Sequence, residues 1–183
     1  MKLNLSTKEM ILISIFAAIT SILAQISIVV PFSPVPITLQ ILAVYLSAII
    51  LGSRLSFMSQ LVYILLGAVG VPVFASFHGG ITSILGPTGG FLISYPIIAF
   101  IIGKVTEKNH NIMMIILGLF ISLLICYTFG VLQLSFITKM SLQKAIMIGA
   151  APYVLLDTAK VIAAYLFGVK VRQALVGANL IKC

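Results

Sequence analysis

Apolar residues run in long, nearly unbroken stretches along this chain, and the length of each stretch predicts membrane helices. A helix that crosses a bilayer needs about 20 mainly apolar residues, because the hydrocarbon layer is about 30 Å thick. Six stretches come near this length. We therefore predict helices over residues 10–30, 38–51, 55–69, 91–103, 112–134 and 145–169. Two or three of these are shorter than the bilayer.

Two turn-rich segments, residues 31–36 and 71–90, interrupt the predicted helices and hold most of the prolines. Non-helical backbone at membrane depth must be buried in protein or line a cavity. One interpretation is therefore that both segments dip into the bundle, which would explain the short helices. The other is that the helices are longer than their apolar stretches, because helix boundaries are the least certain part of such a prediction.

The composition excludes an ordinary water-soluble fold. The 183 residues are 61% hydrophobic and 8% charged, whereas soluble domains carry about 45–50% apolar and about 25% charged residues. The first stretch is too long for a signal-peptide core and lacks a clear cleavage site, so we keep it as a helix. We predict an all-α integral membrane protein, with one domain over residues 1–183 forming a compact bundle of six transmembrane helices.

The net charge of +8 indicates how the bundle is oriented. Basic residues stand singly between apolar runs and there is no Trp, which argues against nucleic acid as a partner. Cytoplasmic loops of membrane proteins carry an excess of Lys and Arg. With both termini cytoplasmic, the outer loops keep only Lys139 and Lys144. Eight basic residues then fall inside: Lys2, Lys8, Arg54, Lys104, Lys108, Lys170, Arg172 and Lys182.

The last predicted helix carries the strongest sign of a binding site. Asp157 and Lys160 stand three residues apart in an apolar helix, so they share one face and can partly neutralise each other. A charged residue at the bilayer centre costs at least about 2.5–3.5 kcal/mol and usually marks a ligand or ion site. Tyr153 extends the same face. The alternatives are a structural ion pair and a Lys that reaches the membrane surface.

The other polar residues of the chain are weaker signs of a binding site than Asp157 and Lys160. Gln40 could bond either a neighbouring backbone or a ligand, and we expect His78 to face water. The cysteines, Cys126 and Cys183, form no plausible disulfide framework or metal site. The chain has no phosphate-binding loop and no paired carboxylates or Ser-His-Asp set, so we predict neither ATP binding by that route nor catalysis.

Small residues form two interleaved pairs in the first helix, Ser14 with Ala18 and Ala17 with Ser21. Small residues four apart let membrane helices approach closely. The pairs could serve packing inside the bundle, or they could dock a helix of a partner protein.

Five motifs stand in a characteristic order and spacing along the chain. They are Pro34-Val35-Pro36-Ile37-Thr38-Leu39-Gln40, Gly70-Val71-Pro72-Val73-Phe74, Gly79-Gly80, Gly86-Pro87-Thr88-Gly89-Gly90-Phe91 and Asp157-x-x-Lys160. In combination they resemble the BioY family, the biotin-binding S components of energy-coupling-factor (ECF) transporters, and the resemblance extends from about residue 10 to residue 169. In the first helix, the family usually has Ala-x-x-x-Ala where this chain has Ser14 and Ala18.

The resemblance implies six helices and an outward-open biotin pocket containing Asp157 and Lys160. It implies that the glycine-rich segment contributes Ser76, Gly79, Gly80, Gly86 and Thr88. We expect Phe74, Phe77 and Tyr153 to cover the apolar body of biotin, and backbone N–H groups near residues 86–89 to bind its carboxylate.

The implied partners are a transmembrane coupling subunit and two cytoplasmic ATPases in a prokaryotic plasma membrane. The chain would need no cofactor, because biotin is cargo and ATP binds to the partners. Two other functions compete. One is a stand-alone ion-coupled carrier of a small organic acid, with Asp157 and Lys160 as a proton relay. The other is a membrane enzyme or scaffold.

Overall fold

The computed structural model describes residues 5–108, 112–178 and 180–181. Lys2, Lys182 and Cys183 lie outside the described residues. Helix α1, Thr7–Gln25, begins at a capping box in which the Ser6 hydroxyl accepts from the Glu9 backbone N–H while the Glu9 carboxylate accepts from the Ser6 backbone N–H. Both exchanges satisfy backbone groups that the helix start leaves unpaired.

A short antiparallel hairpin follows α1 where the sequence predicts continued helix. Strands β1, Ser27–Ile28, and β2, Ile37–Thr38, pair around the turn that contains the first proline cluster. The prediction of a helix to residue 30 was therefore wrong by five residues. Proline fixes its own φ and disfavours helical backbone in the residue before it, so Pro31, Pro34 and Pro36 favour this extended connection.

Helix α2, Gln40–Ala68, is two arms that fold back on each other at Gly52. Gly52 has φ of 80° and ψ of −178°, outside the helical region. The Gln40 amide donates to the Tyr63 hydroxyl at 2.6 Å across 23 residues. In a straight helix those residues would be about 34 Å apart. The arms, Gln40–Leu51 and residues 53–68, coincide closely with the predicted helices 38–51 and 55–69.

The segment between α2 and the next long helix contains a 3-10 turn, Ala75–Phe77, and the short helix α3, Ile81–Leu85. Helix α4, Gly89–Lys108, is longer than the predicted 91–103, and α5, Ile112–Thr138, is longer than the predicted 112–134. For these two helices, the interpretation that apolar stretches understate helix length was correct.

The last predicted helix, 145–169, is in fact two helices. Helix α6 covers Leu142–Gly149, and α7 covers Val154–Gly177, with a bend of 51° between them. Pro152 stands in the break, where its missing N–H and its ring disfavour continuous helix. Asp157 therefore lies in the first turn of α7 rather than in the interior of one continuous helix.

By length and hydropathy, three of the described helices could each cross a membrane: α1, α4 and α5. The bent pair α6 and α7 would be a fourth, and the arm Gln40–Leu51 is apolar but shorter. The protein is thus mostly helical with several apolar helices. The arms of α2 form the centre of its core, where Val44, Tyr45, Ala48 and Tyr63 are completely buried.

Charged side chains close the Gly52 break from two sides. The Glu107 carboxylate of α4 accepts from the Ser53 backbone N–H at 2.9 Å and from the Ser53 hydroxyl at 2.8 Å. Arg172 of α7 donates to the Ile49 carbonyl at 2.9 Å. An anion thus caps the start of one arm and a cation caps the end of the other, as the helix dipole favours. The end of α4 and the second half of α7 therefore lie at one end of the bundle, opposite Gln40.

Candidate ligand cavity

A cavity of about 490 Å³ lies at the end of the bundle opposite the Gly52 break. Small-molecule sites in proteins typically measure about 300–1,000 Å³. The hairpin between β1 and β2 supplies one wall and the segment around α3 another, and residues of α2, α4, α5 and α7 supply the rest. Both turn-rich segments predicted to dip into the bundle therefore line it. The prolines and glycines shape these segments around an interior space instead of continuing the helices.

Asp157 and Lys160 form an ion pair in the wall of this cavity. The Lys160 ammonium donates to Asp157 Oδ1 at 2.7 Å and to the Thr38 carbonyl at 2.7 Å. The Lys160 side chain is only 12% exposed and the Asp157 side chain only 8%. The bond to Thr38 of β2 thus holds the Lys160 ammonium inside the protein. The alternative interpretation, in which Lys160 extends to the membrane surface, does not fit this geometry.

Tyr127 of α5 completes the pair, since its hydroxyl donates to Asp157 Oδ2 at 2.8 Å. The positive end of α7 also favours the carboxylate, because Asp157 lies in its first turn. The pair is therefore a fixed, charged anchor in a cavity whose lining otherwise holds no Asp, Glu, Lys or Arg among the described residues.

The unused hydrogen-bonding capacity of this anchor specifies the ligand. An ammonium group has three donors, and Lys160 uses two of them within the protein. A carboxylate has about four acceptor positions, and Asp157 uses two. With respect to the residues that the structure describes, one donor and about two acceptor positions remain. A ligand group with N–H donors next to a carbonyl oxygen, such as a cyclic urea or amide, would satisfy both residues.

An aromatic wall stands beside the anchor. The Phe74 ring is 3% exposed and packs edge-on against Tyr63, with ring centroids 5.5 Å apart. It also lies so close to Gly67 that a Cβ there would overlap the ring. Tyr153 is held by a 2.6 Å hydrogen bond from its hydroxyl to the Val35 carbonyl. Rigid apolar surface of this kind suits a ring system.

Two glutamine side chains fasten the segment that closes the cavity. Gln133 of α5 donates to the carbonyls of Ile84 and Gly86 at 2.7 and 2.8 Å. Gln25 of α1 bonds the backbone of residues 73, 74 and 77. The walls thus take their shape from hydrogen bonds to helices on either side.

Eight of the eleven residues predicted for the binding site line the cavity, and three do not. The eight are Gln40, Phe74, Ser76, Gly86, Thr88, Tyr153, Asp157 and Lys160. The structure places Phe77, Gly79 and Gly80 elsewhere. Phe77 is 71% exposed. A Cβ on Gly79 would lie too close to the Val71 carbonyl, and the Gly80 N–H donates to the Gly67 carbonyl at 2.6 Å. Both glycines therefore serve close backbone packing behind the cavity.

The small residues of α1 divide between two faces. Ser14 and Ala18 are exposed, whereas Ala17 is buried in the main core and Ser21 is half-buried. Only the first pair is thus available to a partner helix. Within the described ranges, His, Cys, Asp and Glu residues form no group of three or more that could hold a metal ion.

Comparison with known proteins identifies the family to which this chain belongs. The sequence matches the BioY family over residues 1–177. The chain belongs to the BioY family. It is 41% identical over 156 residues to the probable biotin transporter BioY of Pyrococcus horikoshii, covering 85% of this chain and 91% of that protein. It is 38% identical over 166 residues to the biotin transporter BioY of Thermotoga maritima, covering 91% and 96%.

A solved structure agrees with the BioY assignment. The crystal structure of an S-component for biotin from an ECF-type ABC transporter superposes with a TM-score of 0.83. It is 26% identical in sequence, and the match covers 94% of this chain and 95% of that one. The resemblance that the motifs indicated is therefore confirmed at the level of the family and of the fold.

Sequence reasoning missed several residues of the cavity in this BioY protein. Tyr127 is the most important, because it bonds Asp157 directly. The one sign of it was a hydroxyl-bearing aromatic residue in the most apolar predicted helix. Phe91, Leu92 and Tyr95 of α4 also line the cavity. Nothing in an apolar helix distinguishes such residues from ordinary core, so their role depends on the packing of α4.

Proposed function

We propose that this BioY protein captures biotin in the cavity beside Asp157 and Lys160, as the S component of an ATP-driven ECF transporter. The observation that carries the proposal is the anchor's remaining capacity of one donor and about two acceptor positions. The ureido ring of biotin has two N–H donors and one carbonyl oxygen. Its N–H groups would donate to Asp157, and its oxygen would accept from Lys160.

The rest of the cavity suits the rest of the molecule. Phe74 and Tyr153 would cover the apolar thiophane ring. The carboxylate tail would lie toward residues 86–88, which also line the cavity. The Gly89 N–H already donates to the Gly86 carbonyl at 3.1 Å, so we assign the tail to Thr88 rather than to Gly89. The chemistry required is recognition alone, which supports a binding protein and not an enzyme.

We further propose six membrane crossings in a prokaryotic plasma membrane, with both termini cytoplasmic. The two arms of α2 would supply two short crossings, and the bent pair α6 and α7 would supply one. The cavity would then open outward, opposite the basic residues near the Gly52 break. The partners would be a transmembrane coupling subunit and two cytoplasmic ATPases that bind ATP, with Ser14 and Ala18 facing the coupling subunit. The chain itself would need no cofactor.

Calorimetry on the purified chain tests the proposal. We expect biotin to bind at one site per chain, with equal affinity in sodium and in potassium buffers. Absence of binding would refute the biotin assignment. Ion-dependent binding, together with concentrative uptake by the chain alone, would instead support the ion-coupled carrier.

A further inference from the structure

The end of α1 holds part of the cavity wall through the side chain of Gln25. Its Nε2 lies 3.2 Å from the carbonyl oxygens of both Val73 and Phe74. Its Oε1 accepts from the Phe77 backbone N–H at 2.8 Å. We call residues 73–77 the cavity loop. One amide thus engages the loop at both of its ends.

A second contact lies just beyond. Ser27 Oγ, two residues after Gln25, is 3.0 Å from Ser76 Oγ. The amide at the end of α1 and the hydroxyl pair from strand β1, which follows it directly, together fix the path of the cavity loop. The other half of the closing segment is bonded instead to Gln133 of α5.

The cavity loop needs such support because its backbone is strained. Ser76 and Phe77 both lie in the left-handed region, with φ of 56° and 59°. Residues with a Cβ adopt that conformation only where surrounding contacts enforce it. Hydrogen bonds between Phe74, Ala75 and His78 close the turn from within, and the bond from the Phe77 N–H to Gln25 ties it to α1. We expect the turn to relax in part if that acceptor is lost. The same loop presents Phe74 and Ser76 to the cavity, so relaxation would change the wall that meets the ligand.

Gln25 is itself absent from the residues that line the cavity, so it acts through the loop. We propose that Gln25 is a positioning residue that fixes the cavity loop in its ligand-binding conformation and ties the ligand site to the position of α1. The proposal rests on biotin being the ligand.

The link has a direct consequence for transport. Ala18, on the exposed face of α1, lies seven residues before Gln25, which is about 10 Å along the helix. A shift of α1 on docking would carry the Gln25 amide with it and pull on the backbone of the cavity loop. Docking at the middle of α1 can therefore loosen the grip on biotin at its C-terminal end.

The variant Gln25→Met tests the link, because it keeps the length and the helical preference of the side chain but removes all its hydrogen bonds. The matched control is Gln60→Met. The Gln60 amide also bonds α1, at Thr20, and the α2 residue Ser47, but neither of these partners belongs to the cavity loop. Preorganised walls chiefly slow dissociation. We expect Gln25→Met to raise the biotin Kd by about tenfold or more, mainly through faster dissociation.

Two further readouts separate positioning from general stability. Amide hydrogen exchange in residues 74–78 of the ligand-free protein should accelerate in Gln25→Met but not in Gln60→Met. Gln60→Met should lower Tm while leaving the Kd within about threefold of wild type. If wild-type protein binds no biotin, the proposed function fails, and hydrogen exchange alone decides whether Gln25 holds the loop.

Wild-type Kd and wild-type exchange in Gln25→Met would overturn the proposal. An equal loss of affinity in Gln60→Met would also overturn it, since the effect would then be one of fold stability.

Discussion

Asp157 and Lys160 illustrate how residue chemistry sets specificity in this protein. Each is charged, nearly buried and bonded to a second protein group in addition to its partner. Such a pair contributes little net stability, because taking both charges out of water costs about as much as their attraction returns. Its value lies in the donor and acceptor positions that it leaves for a ligand.

Removing either member should therefore weaken ligand binding sharply. Loss of one partner from a buried, hydrogen-bonded charge pair costs about 2–5 kcal/mol, much of it from the charge left behind. We expect Asp157→Ala and Lys160→Ala each to raise the Kd for biotin by at least about 30-fold, measured by calorimetry in detergent. Lys144→Ala, which changes an exposed lysine, is the control. Wild-type affinity in both cavity variants would contradict the site assignment.

The sequence revealed this pair but not its surroundings. Two opposite charges three residues apart in an apolar helix are visible without a structure. Tyr127 and the Thr38 carbonyl are not, because they reach the pair from 30 and 122 residues away. Phe77 shows the opposite error, a residue predicted for the site that lies outside it. The sequence gives no sign of the left-handed turn that leaves Phe77 exposed while Phe74 lies in the cavity wall.

At the scale of elements, Gly52 determines how α2 folds. With φ of 80° it lies where only glycine is comfortable, and the Glu107 carboxylate occupies the space that a Cβ would need. The reversal places Gln40 beside Tyr63 and the C-terminal end of α4 beside Ser53. One residue thus brings two short arms together under the cavity.

Gly52→Ala should accordingly destabilise the bundle. Strained backbone of this kind costs about 1–3 kcal/mol per residue, and the displaced Glu107 would also lose its bonds to Ser53. Thermal unfolding in detergent should show a clearly lower Tm. The control is Gly177→Ala at the end of α7, where a Cβ would meet nothing within 4 Å. An unchanged Tm in Gly52→Ala would mean that the reversal does not depend on glycine.

Hydrophobic stretches predicted the helices of this bundle better than their ends and breaks. Residues 38–51 and 55–69 were separated correctly because Gly52 and Arg54 interrupt the apolar run. The stretch 145–169 was predicted as one helix because Gly149 through Pro152 is short and mostly apolar. Hydropathy does not register the missing N–H of Pro152, which is what bends the chain between α6 and α7.

At the scale of the whole molecule, the cavity lies at one end of the bundle and the basic residues near the Gly52 break lie at the other. This arrangement predicts which end of the bundle faces the outside of the cell. Val29 is 73% exposed and lines the cavity, whereas Phe77 is 71% exposed and does not. Cysteines at either position, in a Cys126→Ala and Cys183→Ser background, should react with an impermeant reagent on intact cells. Saturating biotin should protect position 29 only. Lys108→Cys, at the other end, should react only after permeabilisation. The reverse pattern would invert the topology.

The last prediction concerns how capture is separated from transport. Ala18 is exposed on α1 and absent from the cavity lining. Membrane helices associate through close packing, because lipid offers no hydrophobic drive toward association. A bulky side chain at this position should hold a partner helix away without touching the ligand. We expect Ala18→Trp to leave the Kd for biotin within about threefold of wild type. In vesicles that also contain the coupling subunit and the ATPases, it should abolish ATP-dependent uptake.

Ile22→Trp, one turn further along the exposed face, should impair uptake less, because Ile22 is already bulky and belongs to no small-residue pair. Uptake at the wild-type rate by folded Ala18→Trp protein would show that the coupling subunit docks elsewhere.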